Sequence, residues 1–155
     1  KLYLSEVVVV SPDTGGVARA NDFRERLGAS LAIIYRQRRD PLNGRELEMV
    51  GDVKGKRAII VDDMIATGKT LISATEALLE RGALEVYACA THGIFAQEAL
   101  EAIELSPIKQ VVVTNTLPLR GKQLPEKIKV LSVGPLIAES ILRIHKDISM
   151  SSLFI

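Results

Sequence analysis

The sequence is poor in the features that mark secreted, membrane and nucleic-acid-binding proteins. Its 155 residues contain one cysteine, Cys89, which excludes a disulfide framework and favours a reducing compartment, the cytoplasm. No apolar run approaches the roughly 18 residues of a membrane span, and no signal peptide is visible. With 20 basic and 19 acidic residues the net charge is +1, so no overall field attracts nucleic acid or a membrane surface. Any anion site must therefore be local.

What the chain does contain is typical of one globular α/β domain covering residues 1–155. Hydrophobic residues make up 47% and charged residues 25%, an ordinary balance for a folded domain. Cys89 lies in an apolar run and is interpreted as a small buried hydrophobe rather than a reactive thiol. The chain opens on Lys1, not Met, directly before an apolar run. We therefore expect it to be part of a longer polypeptide.

Apolar runs alternate with helical patterns, which predicts a doubly wound, mainly parallel sheet with helices on both faces. The predicted strands are residues 7–10, 31–34, 57–61, 86–90, 111–114 and 128–131. The predicted helices are residues 16–27, 68–81, 96–104 and 136–145. Residues 36–49 are charged and contain Pro41 and Gly44, which predicts a long functional or mobile connection.

The most informative segment reads IIVDDMIATGKT. Its apolar run stops at Asp62 and Asp63, which predicts that both acids follow a strand at its carboxyl end, where open α/β sheets bind ligands. Thr67, Gly68 and Thr70 then offer hydroxyls and backbone N–H groups to a phosphate at a helix start. The carboxylates can accept hydrogen bonds from ribose hydroxyls or hold a hydrated divalent cation. A polar strand end is the structural alternative.

The tail Gly68-Lys69-Thr70 resembles the end of a Walker A loop only superficially. That loop requires a glycine five positions before Gly68, where this chain has Asp63. A Walker-type NTPase is therefore disfavoured. Lys69 is interpreted either as a phosphate or substrate contact or as a solvent-facing lysine of the first helical turn.

A second constellation, Ser11-Pro12-Asp13-Thr14-Gly15-Gly16, follows the first predicted strand. Paired glycines let the backbone approach an anion, and Asp13 is placed to bind Mg²⁺ accompanying it. The alternative is a plain strand–helix turn capped by Asp or Thr.

Polar residues follow three further strands. The basic run Arg36-Gln37-Arg38-Arg39 is interpreted as a contact to the oxygens of a polyphosphate. The alternative is a charged loop in solvent. His92 follows the fourth strand as a structural or a catalytic histidine. Residues 114–116 (Thr-Asn-Thr) are interpreted in one of two ways. They contact a ribose or base, or they form a turn whose side chains make hydrogen bonds with the local backbone.

Five segments together resemble the ribose-phosphate pyrophosphokinase family: SPDTGGVARA, GDVKGKRAIIVDDMIATGKT, VYACATHGIF, VVVTNTLPL and RIHKDISMSSLF. The resemblance runs along nearly the whole chain in the family's motif order. It implies a type I phosphoribosyltransferase-like fold and corresponds to the C-terminal half of a two-domain enzyme. That enzyme transfers the diphosphoryl group of ATP to ribose 5-phosphate.

The resemblance also assigns roles to residues. It implies that ribose 5-phosphate binds to Asp62, Asp63, Ala66, Thr67, Gly68, Lys69 and Thr70. It implies a pyrophosphate loop at Asp13, Thr14, Gly15 and Gly16, with Asp13 near Mg²⁺ as the metal-binding residue. It implies a catalytic loop carrying Arg36, Arg38 and Arg39. The implied partners are ATP, the N-terminal domain of the same enzyme and further copies of the chain, assembled as a hexamer of dimers.

The chain departs from the family pattern at three places. Arg36 or Gln37 stands where the catalytic loop usually has a lysine. Ala66 replaces an aspartate, and Lys69 replaces a small uncharged residue. Two alternatives therefore stay open: a non-catalytic regulatory synthetase-associated subunit, and a phosphoribosyltransferase, for which we see no segment large enough to form a base-binding hood. An isolated half is expected to be inactive.

Overall fold

The computed structural model describes residues 6–37, 46–96, 98–119, 121 and 123–153. Within them the strands form a single sheet in the order β3-β2-β1-β4-β5-β6-β7. The strands are β1 (Val7–Ser11), β2 (Ser30–Gln37), β3 (Glu46–Val50), β4 (Arg57–Ile65), β5 (Glu85–Gly93), β6 (Gln110–Thr114) and β7 (Ile128–Leu131). Adjacent strands are parallel, except that β3 pairs antiparallel with β2 at the sheet edge.

The helices cover the two faces of this sheet separately. They are α1 (Val17–Leu27), α2 (Lys69–Glu80), α3 (Ala99–Leu105) and α4 (Gly134–His145), followed by a 3₁₀ turn at Ser151–Leu153. On one face α1 packs with a small core around Val9, Ala20 and Val61. On the other face α2 and α3 pack with the larger core, where Leu78 and Ile103 are fully buried. Because both faces of β1 are covered, all five of its residues are buried.

The direction of the chain reverses in the middle of the sheet, and this reversal creates a crevice. From β1 the chain crosses by α1 to β2, whereas from β4 it crosses by α2 to β5 on the opposite side. The two crossovers therefore diverge between β1 and β4, which pair directly through Val10 and Ile60. This is the topological switch point at which doubly wound sheets bind ligands.

The structure confirms the predicted doubly wound fold and corrects three boundaries. Strand β4 does not end at Val61 but continues through both acids to Ile65, paired with β5 up to Gly93. Consequently His92 lies within β5 instead of following it. The predicted connection 36–49 is partly strand, because Arg36 and Gln37 complete β2 and pair with β3.

Two apolar surfaces are exposed in the part of the chain that the structure describes. Large apolar side chains on and beside α4 are exposed: Leu131, Leu136, Ile137, Ile141, Leu142, Ile144 and Ile148. On the α1 face of the sheet, a groove of about 790 Å³ lies over β5 and β6, between Phe23 and Leu131. None of the described helices has the length and apolarity that crossing a membrane requires.

Candidate functional site

A polar cavity of about 250 Å³ lies at the switch point, between the loop after β1 and the end of β4. Its lining is Pro12, Asp13, Ile60, Asp62, Asp63, Met64, Ile65, Ala66, Thr67, Gly68, Thr70, Leu71, Ala88 and Cys89. The structure thus brings the two predicted constellations together in one cavity, as the pairing of β1 with β4 requires. The arrangement combines carboxylates with hydroxyls and a helix N-terminus.

The two carboxylates are held in place by backbone N–H groups. The N–H of Asp63 donates to Oδ1 of Asp62 at 2.8 Å, and the N–H of Met64 donates to Oδ1 of Asp63 at 2.8 Å. Asp62 is half-buried and Asp63 is exposed. Both acids line the polar cavity.

A guanidinium that the sequence analysis missed bridges the pair. Arg19 of α1 places Nη1 3.2 Å from Oδ1 of Asp62 and Nη2 3.3 Å from Oδ2 of Asp63. The sequence did carry a signal for it. Arg19 lies in the first turn of α1, where a positive charge opposes the helix dipole, so it needs an acidic partner elsewhere.

The electrostatics of the two acids diverge. Burial raises the pKa of the Asp62 carboxyl, and the adjacent Asp63 adds to this rise while Arg19 opposes it. The side-chain hydrogen bond with Asp62 lowers the pKa of Asp63, and the charge of Arg19 lowers it further. The pKa values of the two carboxyls therefore shift in opposite directions, and Asp63 is the acid whose negative charge is favoured.

The segment Ala66–Thr70 forms a compact turn into α2. Gly68 adopts a left-handed conformation with φ of 76°, and α2 begins directly after it without a side-chain cap. The amides at this end lack a side-chain cap and lie beside the exposed hydroxyls of Thr67 and Thr70, an arrangement typical of helix N-termini that bind anions. Lys69 is exposed and, unlike its neighbours, does not line the cavity. Ala66 is half-buried and presents a methyl group where a carboxylate would add charge.

The loop after β1 is tied together by short hydrogen bonds. The N–H of Gly16 donates to Oδ1 of Asp13 at 2.9 Å, and the buried Ser11 hydroxyl donates to the carbonyl of Asp13 at 2.7 Å. A Cβ at position 16 would lie 2.9 Å from Ser11 Oγ, so a larger residue there would have to displace this hydroxyl. Asp13 lines the cavity, while Thr14 and Gly15 are exposed beside it.

The predicted catalytic arginines are described only in part. The backbone of Arg36 belongs to β2, opposite Leu47 of β3. Arg38 and Arg39 lie outside the described residues, so their role stays a prediction.

The polar residues at the carboxyl ends of β5 and β6 form hydrogen bonds with each other and with the backbone. His92 Nδ1 lies 2.9 Å from Oγ1 of Thr116. The hydroxyls of Thr114 and Thr116 donate to the carbonyl of Thr91, and Asn115 accepts from the N–H of Val133. These contacts are those of a structural turn. Burial raises the pKa of Cys89 to about 11, in agreement with an unreactive, protonated thiol.

The donor set of the cavity suits Mg²⁺. Asp13, Asp62 and Asp63 line the same cavity, and carboxylate oxygens are the hard ligands that this ion prefers. The described residues contain no group of three His, Cys, Asp or Glu side chains that would form a complete metal centre. The ion would therefore share its coordination with water and with phosphate oxygens.

Comparisons with known proteins agree with this geometry. A family model described as the phosphoribosyl synthetase-associated domain matches residues 39–155. A ribose-phosphate pyrophosphokinase of Caldanaerobacter subterraneus subsp. tengcongensis is 54% identical over 149 residues, which cover 96% of this chain and 47% of the relative. The chain thus spans about half the length of the curated relatives it matches.

Solved structures give the same result. The crystal structure of phosphoribosylpyrophosphate synthetase from Mycobacterium smegmatis is 39% identical, with a TM-score of 0.82, over 92% of this chain and 46% of that one. An APRTase from Giardia lamblia, complexed with 9-deazaadenine, is 16% identical with a TM-score of 0.55, over 70% of this chain and 68% of that one. The second likeness shows the fold alone.

Proposed function

Because the chain belongs to the phosphoribosyl synthetase-associated domain family, we propose that it is the ribose 5-phosphate-binding half of a ribose-phosphate diphosphokinase. Joined to its other half, the enzyme transfers the diphosphoryl group of ATP to ribose 5-phosphate, giving phosphoribosyl pyrophosphate and AMP. The relatives that support this activity are about twice as long as this chain.

One observation carries the proposal: carboxylates and an uncapped helix N-terminus line the same cavity. Asp62 and Asp63 accept hydrogen bonds from the ribose hydroxyls. Thr67, Gly68 and Thr70 bind the 5-phosphate through hydroxyls and backbone N–H groups. A sugar phosphate carries both kinds of group on one small molecule, so a single ligand satisfies both ends of the cavity.

The loop from Asp13 to Gly16 is the proposed pyrophosphate site. Asp13 holds Mg²⁺ there together with phosphate oxygens, and the metal supplies charge neutralisation to the transferred group. Phosphoryl transfer depends mainly on positioning and electrostatics, so the chain needs no nucleophilic side chain. The arginines of residues 36–39 are proposed to close over the transferred group.

The other half of the enzyme is the proposed partner of the exposed apolar residues of α4. The relatives contain about as much chain again as this domain supplies, and Ile141 and Ile144 are 63% and 66% exposed three residues apart on one helical face. Contiguous exposed apolar side chains mark interfaces between proteins or domains. Cytoplasmic location and assembly as a hexamer of dimers belong to the same proposal.

Calorimetric titration with ribose 5-phosphate tests the binding role. We expect binding by the protein and a loss of at least tenfold in affinity for Asp62→Asn/Asp63→Asn, since hydrogen bonds to charged groups contribute about 1.5–3 kcal/mol each. Asp22→Asn, on the outer side of α1, is the control. Unchanged affinity in the double variant would exclude the acid pair from the site.

Joining the chain to its other half tests the activity. AMP and phosphoribosyl pyrophosphate should form in equal amounts from ATP and ribose 5-phosphate. A joined protein that binds ribose 5-phosphate without turnover would instead be the regulatory subunit, and Ala66 and Lys69 are the departures that favour this second candidate. Restoring an aspartate by Ala66→Asp then shows whether the missing carboxylate accounts for the lost turnover.

A further inference from the structure

Arg19 joins the loop after β1 to the acid pair of β4, although it belongs to neither. Its backbone lies in the first turn of α1, immediately after the loop that Gly16 closes. Its side chain crosses to the end of β4, where the two terminal nitrogens contact Asp62 at 3.2 Å and Asp63 at 3.3 Å. One rigid guanidinium therefore connects the proposed pyrophosphate loop to both carboxylates.

The placement of Arg19 is unfavourable without those carboxylates. A cation in the first helical turn meets the positive end of the helix dipole. Asp62 and Asp63 are likewise two adjacent acids whose charges repel, and one of them is half-buried. The bridge relieves both problems. Gly16 leaves room for it, because a Cβ there would lie 3.2 Å from Nη1 of Arg19.

Arg19 contacts the acids from outside the ligand cavity. It does not line the polar cavity that contains Asp13, Asp62 and Thr67. It lines the groove on the α1 face of the sheet, beside Phe23. A ligand entering the polar cavity therefore has no need to displace it.

We propose that Arg19 is a positioning residue: it fixes and charge-balances the Asp62–Asp63 pair so that both carboxylates face the ribose hydroxyls. It acts through the acids and does not touch the sugar phosphate. The inference rests on the proposed function, in that Asp62 and Asp63 are taken to bind ribose 5-phosphate. Through Arg19, the orientation of the acid pair depends on the position of the loop that contains Asp13 and Gly16.

Titration of the protein with ribose 5-phosphate tests the proposal. Arg19→Gln should weaken binding about tenfold or more, because the freed carboxylates repel and turn away from the sugar. Arg19→Lys should restore part of the affinity, since its point charge reaches one carboxylate but not both. Arg24→Gln, one turn and a half further along α1, removes contacts only to Asn21 and Glu25 and is the matched control.

Inorganic phosphate separates positioning from loss of fold. It occupies the Thr67–Thr70 terminus without touching the acids, so Arg19→Gln should bind it as the unaltered protein does, with an unchanged far-UV spectrum. Equal losses for phosphate and ribose 5-phosphate would overturn the proposal, because they would indicate general damage to the cavity.

A double-mutant cycle distinguishes the role of Arg19 from the role of the acid pair itself. In the Asp62→Asn/Asp63→Asn background, Arg19→Gln should cause no further loss of affinity, since the groups through which it acts are gone. Additive losses would refute a role through the acids. If Asp62→Asn/Asp63→Asn lowers the affinity but Arg19→Gln does not, only the positioning role of Arg19 is refuted. If Asp62→Asn/Asp63→Asn leaves the affinity for ribose 5-phosphate unchanged, the proposed function is refuted.

Discussion

Gly68 provides a sharp test of the phosphate-binding turn, because a single methyl group strains its backbone without colliding with neighbours. Its φ of 76° is left-handed, and an added Cβ would meet nothing closer than Ile103 Cγ1 at 3.6 Å, an ordinary contact. The cost of Gly68→Ala is therefore the left-handed conformation itself, about 1–2 kcal/mol. The melting temperature should fall by roughly 2–8 °C.

The same strain should weaken ligand binding. The amides of the turn meet a phosphate only while Gly68 is left-handed, and alanine shifts the free turn away from that conformation. Strain that the free turn relieves by relaxing no longer lowers the melting temperature and weakens binding instead, so complete relaxation lowers the affinity for ribose 5-phosphate about 5- to 30-fold. Differential scanning calorimetry and isothermal titration measure the two effects separately.

Gly28 is the matched control for this experiment. It is also left-handed, with φ of 62°, and nothing lies within 4 Å of an added Cβ. Gly28→Ala should lower stability by a similar amount and leave affinity unchanged, because it lies at the far end of α1. A Gly68→Ala variant that keeps both full stability and full affinity would refute the role of this backbone in phosphate binding, because a turn that relaxes to avoid the strain must lose affinity.

Further predictions concern the core, the thiol and α4. Leu78→Ala should cost about 2–5 kcal/mol in a denaturation experiment, because Leu78 is fully buried, whereas Leu105→Ala, at 80% exposure, should be nearly neutral; equal costs would contradict the described core. Cys89, with its pKa raised to about 11, should react slowly with iodoacetamide at pH 8 and faster as the pH rises toward 11; rapid alkylation at pH 8 would contradict its burial. Ile141→Asp/Ile144→Asp should weaken association with the other half in analytical ultracentrifugation while leaving ribose 5-phosphate affinity unchanged, and undiminished association would remove α4 from the interface.

The sequence was sufficient to predict the order of strands and helices, because buried parallel strands read as continuous apolar runs. It failed where tertiary pairing overrides composition. Asp62 and Asp63 read as a strand end, yet the backbone of β4 continues to pair with β5 as far as Ile65. Glu46–Val50 read as connection, yet it pairs with β2 at the edge.

The residues of the candidate site also fall into two groups: those that local motifs predict, and Arg19, whose role depends on tertiary structure. Asp13, Asp62, Thr67 and Gly68 were predicted from local motifs, since each comes shortly after an apolar run in the sequence, and the structure places them around one cavity. Arg19 was missed because its ion pairs span 43 and 44 positions of sequence and depend on the pairing of β1 with β4.

Backbone NMR during a titration with ribose 5-phosphate tests the central claim most directly. We predict that the largest changes in amide chemical shift occur at residues 62–63 and 66–70 and that they saturate together. Inorganic phosphate should reproduce only the changes at residues 66–70. Shifts confined to the α1 face of β5 and β6, or no saturable shifts at the carboxyl end of β4, would contradict a ribose 5-phosphate site in this cavity.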